Sequence, residues 1–255
     1  MIKGTEKQFG YEWEFYNEII PLHERQFEQW IQPVPLSFFR GKRFLDAGCG
    51  IGRNSLWPLK AGAASGYAFD YDPRTVGVAK ENLKEYPNCG VGFESIYDIA
   101  YESEFDAAFC IGVIHHLAQP REAVERLVRA LKPGGTLIIW VYAREGNERY
   151  LAFEEPLRKY FTSRVHPCIT RYISIILTAL LKTYLALPSP NPYLRELKER
   201  SFRHVEAMVF DQLIPRISRY FTQDEVRALI EGLPIRIRHL THTNAMSWTL
   251  VAEKL

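Results

Sequence analysis

The chain has 255 residues, 47% of them hydrophobic and 24% charged, which suits one large folded domain with an inserted or appended subdomain and excludes a disordered chain. The formal net charge is only +2, so global electrostatics gives no argument for nucleic acid. Cys49, Cys89, Cys110 and Cys168 are far apart without metal-ligand spacing, so no metal is expected, and free thiols in a reducing cytoplasm are the default.

The N-terminal MIKGTEKQFG has no apolar core of the kind a signal peptide needs. Residues 9–40 are aromatic and acidic and predict one or two helices ended by Pro33 and Pro35, a helical lid segment over 1–41. From 42 to 142, apolar runs at 43–47, 65–69, 91–95, 105–111 and 135–142 alternate with helical stretches near 53–62, 73–86 and 119–131. Such alternation implies an α/β core with a parallel sheet covered on both faces. Lys132-Pro133-Gly134-Gly135 predicts a stop after Leu131 and a turn into the next strand.

Beyond Tyr142 the alternation lapses into a helix-rich insertion over 143–214, with CITRYISIILTALLKTYLAL at 168–187, a PSPNP breaker, and an amphipathic stretch around 193–214. Residues 215–255 complete the core. Thr222 and Glu225 form a capping box for a helix at 222–232. Strands near 235–241 and 246–252 follow, and the short turn at Thr243–Ala245 between them requires antiparallel pairing.

The chemistry is concentrated in FLDAGCGIGR, residues 44–53. Gly48, Gly50 and Gly52 let the backbone turn sharply and approach a ligand closely. The dinucleotide fingerprint would need glycine where Arg53 stands, and the Gly-Lys-Ser/Thr of a phosphate loop is absent. Asp46-x-Gly48-x-Gly50-x-Gly52 instead resembles motif I of the class I S-adenosylmethionine (SAM) dependent methyltransferases. Further matches are Phe69-Asp70, Asp98 after the third strand, Phe105-Asp106, and Leu131 to Gly135. The resemblance covers about 42–142 well and the terminal strands by pattern.

It implies a Rossmann-like, doubly wound, mostly parallel seven-stranded sheet with one reversed terminal strand, and SAM as cofactor. By the same resemblance Gly48 and Gly50 approach the cofactor, and Asp70 accepts from its ribose hydroxyls. Tyr71 lies against the adenine, Asp98 with Ile99 reaches its amino group, and Ile111 contributes backbone. Arg53 suits the SAM carboxylate. Asp46 organises the turn or touches ligand. Asp70 has the alternative of capping the helix that begins at Pro73, a role for which Asp72 is the better candidate.

The fourth strand is followed by CIGVIHHL rather than the Asn/Asp-Pro-Pro-Tyr of nucleobase amino methyltransferases, which points to the small-molecule branch and away from nucleic acid. A base is needed only if the acceptor must lose a proton. His116 is the family-matched candidate, with His115 and Tyr142 beside it, and a structural imidazole is an equal alternative for either histidine. Arg144 and Asn147 contact substrate or tie down the insertion, while His204, Asp211 and Arg216 carry less weight. Tyr11, Trp13 and Tyr16 either shield the cofactor or pack into the core.

Arg171 and Lys182 interrupt the 168–187 segment, so a cap helix ranks above membrane contact. The mildly basic second half likewise reads first as solvated surface. The expectation is a cytoplasmic SAM-dependent methyltransferase of a small or amphiphilic molecule, with the acceptor atom and oligomeric state open. The alternatives are a quinone or lipid methyltransferase at a membrane surface, and a SAM-binding protein that does not methylate. Room for an acceptor beside the cofactor separates the last from the others. An RNA methyltransferase ranks lowest, because the basic residues of the second half are interleaved with acids.

Overall fold

In the computed structural model, residues 6–188 and 192–255 are described. Residues 1–5 and Ser189, Pro190 and Asn191 of the breaker lie outside them. The alternating segment yields strands β1 (Arg43–Ala47), β2 (Ser65–Asp70), β3 (Cys89–Phe93), β4 (Phe105–Ile111) and β5 (Leu131–Tyr142), and the C-terminus adds β6 (Ile235–Thr243) and β7 (Ser247–Lys254). They form one seven-stranded sheet in the order β3-β2-β1-β4-β5-β7-β6. The first five pair parallel, and β7 runs antiparallel to both β5 and β6, which is the reversed strand that the short turn requires.

The helices are α1 (Glu6–Phe15), α2 (Leu22–Ile31), α3 (Arg53–Lys60), α4 (Pro73–Asn82), α5 (Pro120–Ala130), α6 (Glu148–Leu157), α7 (Pro167–Leu185), α8 (Pro192–Glu199), α9 (Phe202–Leu213) and α10 (Gln223–Ala228). Both faces of the sheet are covered. On one, Phe27 of α2 and Trp57 of α3 join Phe44 and Phe109. On the other, Val124 and Leu127 of α5 and Val226 of α10 pack on Leu45, Phe105 and Leu137. Parallel strands buried on two sides are apolar in both alternations, which is why β4 reads as a near-continuous apolar run. Helices α6 to α9 make the cap.

Three boundaries differ from the sequence reading. The LKPGG segment is already strand: Leu131 pairs with Phe105, and the register then jumps so that Ala107 faces Thr136. Lys132 bridges this irregularity by donating to Asp106 Oδ1 at 2.7 Å, while Asp106 Oδ2 accepts from Arg43 N–H at 2.8 Å. The third strand starts at Cys89 rather than 91, because Gly90 and Gly92 carry no hydrophobic signal and instead make room for Tyr67. The C-terminal helix spans only Gln223–Ala228.

The capping box is formed as expected, with Thr222 Oγ1 accepting from Glu225 N–H at 3.3 Å and Glu225 Oε2 accepting from Thr222 N–H at 2.7 Å. Thr222→Ala removes one of these partners and should cost about 0.5–2 kcal/mol in urea unfolding. Thr222→Ser should keep nearly all of it, and equal losses in the two variants would show that the cap contributes nothing.

Candidate functional site

The turn after β1 is built from residues that tolerate a left-handed backbone. Gly48, Gly50 and Gly52 have φ of +77°, +54° and +80°. Gly48 N–H and Cys49 N–H both donate to Phe69 O at 2.9 Å, which ties the turn to the end of β2. A Cβ at Gly48 would stand 2.5 Å from Val113 Cγ2, so the close approach there requires glycine. At Gly50 the nearest atoms belong to the Trp13 ring, at an ordinary 3.6 Å.

Asp70 closes the arrangement by accepting from Gly50 N–H at 3.0 Å on Oδ2. Burial pushes its carboxyl up to about 6, against the opposing pull of backbone N–H groups including that of Gly50. The cap of α4 is Asp72, which accepts from Arg74 N–H at 2.9 Å and Thr75 N–H at 3.4 Å. Asp70 is therefore left to the cavity. Asp46 is buried behind the turn, where its Oδ2 accepts from Ser55 Oγ at 2.6 Å and burial raises it to about 7.

A cavity of about 1070 Å³ lies over the carboxyl ends of the strands, beneath α1 and the cap. Gly48, Gly50, Asp70, Tyr71, Asp98 and Ile111 line one part of it. Tyr71 lies parallel to Phe93, with ring centroids 5.4 Å apart. A second part is polar. Tyr142 Oη donates to Asp211 Oδ2 at 3.2 Å and accepts from Gln212 Nε2 at 2.9 Å, and Tyr220 Oη donates to Gln212 Oε1 at 3.1 Å.

Arg53 faces this group, with its guanidinium 5.3 Å from the Trp13 ring centre and 5.4 Å from that of Trp30. Burial lowers its pKa while the carboxylates of Asp211 and Glu12 oppose the shift. Burial also lifts Asp211 to about 6, opposed by Arg53 and by the Tyr142 hydroxyl. Glu12 is only 2% exposed, its Oε2 has no partner among the described residues, and burial with the nearby Asp211 raises it well above the usual carboxylate range. The third part of the wall is apolar, with Leu177, Leu181, Leu194 and Leu197 from the cap.

The structure thus gathers Gly48, Gly50, Arg53, Asp70, Tyr71, Asp98, Ile111, His116 and Tyr142 on one cavity, with His204, Asn147, Trp13 and Tyr16. Three expectations need correction. Asp46 stands behind the wall, bonded to Ser55. Ile99 is 3% exposed and packs in the core between strand and helix. His115 is fully buried off the wall, stacked on Tyr142 at 3.9 Å with both ring nitrogens unpartnered among the described residues, so it backs that tyrosine.

His116 does face the cavity. Its Nδ1 lies 2.7 Å from Ile217 O, a carbonyl that only accepts, so Nδ1 carries the hydrogen and Nε2 is left unprotonated. Burial lowers its pKa to about 4, which keeps the ring neutral near pH 7. Tyr11 packs on Phe15 and Phe210, away from the wall. Asn147 Nδ2 donates to Ala143 O at 2.8 Å and Met246 O at 2.9 Å, so it ties the insertion to the core. Arg144 and Arg216 lie off the wall. Sequence reasoning missed Glu12, Gln212 and Tyr220, and gave Asp211 little weight. The one signal for Glu12 was an acid inside the aromatic run FGYEWEFY.

Comparison with known proteins agrees with this geometry. Residues 45–139 match the family described as methyltransferase domain. An uncharacterized Synechococcus protein is 33% identical over 141 residues, which are 51% of this chain and 34% of that protein. The mitochondrial ubiquinone biosynthesis O-methyltransferase of Schizosaccharomyces pombe is 34% identical over 110 residues, 42% of this chain and 40% of its own. The ubiquinone biosynthesis O-methyltransferase of Thiobacillus denitrificans is 31% identical over 141 residues, 51% of this chain and 55% of its own. The chain thus spans a third to a little over half of the length of these curated relatives.

Among solved structures, magnesium protoporphyrin IX methyltransferase from Synechocystis with bound SAM has a TM-score of 0.55 at 14% identity, covering 91% of this chain and 80% of that one. A SAM dependent methyltransferase from Aquifex aeolicus has a TM-score of 0.52 at 16% identity, covering 91% and 98%. These likenesses show the fold.

Gly48→Ala meets both a left-handed φ and Val113, whereas Gly50→Ala meets only the φ. Gly48→Ala should therefore lose upwards of about 1 kcal/mol in urea unfolding and more than Gly50→Ala does. Adding Val113→Ala should recover the steric part at Gly48 alone. The same loss at both glycines would show that Val113 does not set the constraint.

Proposed function

We propose that this chain, whose α/β core belongs to the class I SAM-dependent methyltransferase family, moves a methyl group from SAM to a small amphiphilic molecule held under the cap. The observation that carries this reading is the single cavity running from the glycine turn, past Tyr142 and Asp211, to the leucine-lined cap. At about 1070 Å³ it matches or exceeds the roughly 300–1,000 Å³ of small-molecule sites, so it has room for an acceptor beside a cofactor. A protein that bound SAM alone would have no use for that space.

The residues present fit the cofactor. Gly48 and Gly50 supply a cradle that side chains would fill, Asp70 is a half-buried carboxylate fixed by the turn itself, and Arg53 is a half-buried cation suited to an amino-acid carboxylate. When bound, SAM supplies an activated methyl group for in-line transfer to a nucleophile. The protein's part is to align the acceptor, exclude water and take up any proton the acceptor must lose.

For that proton Asp211 is placed better than either histidine. Its Oδ2 is held by the Tyr142 hydroxyl, and its pKa of about 6 leaves it ionised yet basic near pH 7. His116, at about 4, is a poorer acceptor of protons. The ubiquinone relatives are named as O-methyltransferases, which supports a hydroxyl as the group methylated. Leu177, Leu181, Leu194 and Leu197 would hold the apolar remainder of such an acceptor.

Two measurements test the reading. In calorimetric titration SAM should bind and NAD should not, and Asp70→Ala should weaken SAM at least about tenfold, since charged hydrogen bonds are roughly twice as strong as neutral ones. Asp70 accepts charge-assisted bonds on both oxygens only when ionised, and its pKa is raised to about 6, so SAM affinity should be flat above pH 7 and fall as pH drops through 6. Loss of affinity within a factor of about two in Asp70→Ala would remove the ribose assignment. For proton transfer, Asp211→Asn should lower kcat on a phenolic acceptor by about 10²-fold while SAM affinity holds. Equal loss in Asp211→Asn and His116→Ala would move the base elsewhere.

A further inference from the structure

Helix α7 is turned inside out. Its residues recur on two faces, and the inner face is polar over most of its length: Thr170, Ser174 and Thr178 are fully buried, and only toward the C-terminal end do Leu181 and Leu185 join the cap core. The opposite face carries Ile169, Tyr172, Ile176, Leu180 and Tyr184 at steps of three or four, 48%, 66%, 61%, 63% and 58% exposed, and Leu187 just past the helix end continues it at 61%. A helix covering a soluble core has the reverse pattern, apolar inward and polar outward. The exposed apolar face continues onto neighbouring segments through Phe153, Tyr160 and Phe161, at 69%, 67% and 49%.

Along α7 and its flanks, from 156 to 195, the chain carries charge of one sign. Between Glu155 and Glu196 the chain carries six basic residues, Arg158, Lys159, Arg164, Arg171, Lys182 and Arg195, and no acidic one. Lys159, Arg164 and Arg195 are exposed. A second copy of this chain docking face to face would oppose like charges, whereas an anionic lipid surface complements them and takes up the apolar side chains. We infer that the cap docks on an anionic bilayer through the outer face of α7, and that the methyl acceptor is an amphiphile lodged in that bilayer. The second half of this inference rests on the methyl-transfer reading above; the docking does not.

The packing fixes how α7 meets the lipid. Among the described helices it alone is long and apolar enough to cross a membrane, with 19 residues. Its inner face, however, is fastened to the protein. Thr170 Oγ1 donates to Thr162 O at 2.8 Å, Ser174 Oγ to Glu206 Oε1 at 3.1 Å, and Lys182 Nζ to Lys198 O at 2.9 Å and Arg200 O at 2.8 Å. Crossing a bilayer would strip these groups of their partners in hydrocarbon. The helix therefore lies in the interfacial plane, with aromatic and aliphatic side chains down and the cap above.

The cavity joins this face. Leu177 and Leu181, on the flank of α7, line its apolar end, and Phe153 belongs both to the cavity wall and to the exposed apolar surface. An amphiphile entering there keeps its tail among lipid and leucine while its polar group reaches Tyr142 and Asp211. Docking thus gives the acceptor a path that never passes through water.

Vesicle flotation tests the inference. The whole protein should float with phosphatidylcholine–phosphatidylglycerol vesicles at low salt at least about tenfold better than with phosphatidylcholine alone, and release as salt rises. Ile176→Glu/Leu180→Glu should abolish flotation, and Lys159→Glu/Arg164→Glu should weaken it, both with unchanged thermal unfolding because these side chains are exposed. Equal flotation with neutral vesicles, flotation unaffected in the first double variant, or no flotation of the parent would overturn the docking. So would a dimer in sedimentation velocity that Ile176→Glu/Leu180→Glu dissociates, since that would make the face a contact between copies. SAM titration of the same proteins separates the two readings. Flotation without SAM binding would keep the docking and remove the methyl transfer, and SAM binding without flotation would do the opposite.

Discussion

The hydrogen bond from Gly50 N–H to Asp70 Oδ2 is the constraint on which the site depends. It joins the turn after β1 to the last residue of β2, and the two N–H groups donating to Phe69 O reinforce it one residue earlier. Neither element could hold its position alone. A turn with three left-handed glycines loses more conformational freedom on folding than any other sequence of its length, and a carboxylate at a strand end has several rotamers open to it. Together they are fixed, and burial raises the carboxyl to about 6 without removing its charge at neutral pH. The separate cap supplied by Asp72 makes this possible, because it frees Asp70 from the start of α4.

The same cavity gathers charge that is buried at Glu12 and half-buried at Arg53 and Asp211. Arg53, Glu12 and Asp211 lie within one another's fields, and burial acts on each against its charged form. Taking charges out of water costs several kcal/mol per ion in real proteins, so a purely structural role would be served better by apolar packing. Here two acids stand against one base, and the acid that keeps an oxygen unpartnered among the described residues, Glu12, sits on α1 beside Trp13, whose ring lies against Gly50. Such an arrangement holds Glu12 toward its protonated form and leaves the charge to Asp211 and Arg53.

What the sequence revealed follows the range of the interactions concerned. The glycine turn, the Asp70–Asp72 pair and the Thr222–Glu225 cap are decided within a few residues, and each is where the sequence places it. The antiparallel last pair follows from chain length alone. The face of a histidine is a different matter. His115 and His116 are adjacent, and only the packing of β5 and of the 217–220 segment decides that one is sealed against Tyr142 while the other reaches the cavity. Glu12, Asp211 and Tyr220 come from three distant parts of the chain, so no local pattern marks them as one group. At β3 the local signal misled, because glycines inside a strand look like turns until the neighbour that needs their space is known, while at Leu131–Gly135 the turn signal became a register shift inside the strand, with Gly134 at φ +75°.

The outward apolar face of α7 has a physical cause on the inside of the cap. Glu206 of α9 is 5% exposed, and a buried carboxylate needs donors. Ser174 Oγ donates to it at 3.1 Å, and Arg171 Nε stands 3.9 Å from the same oxygen. Both come from α7, so the helix must present hydroxyls and a guanidinium inward. With that face committed and Leu177, Leu181 and Leu185 turned to the cavity and the cap core, the remaining large apolar residues of the helix lie on the outer face. In water that arrangement exposes apolar surface with no compensating contact, and simple substitution of the outer residues by polar ones would relieve it. Retaining six large apolar side chains in register over five turns is instead what a lipid surface rewards. The chain's lack of acids from 156 to 195 then completes the same design.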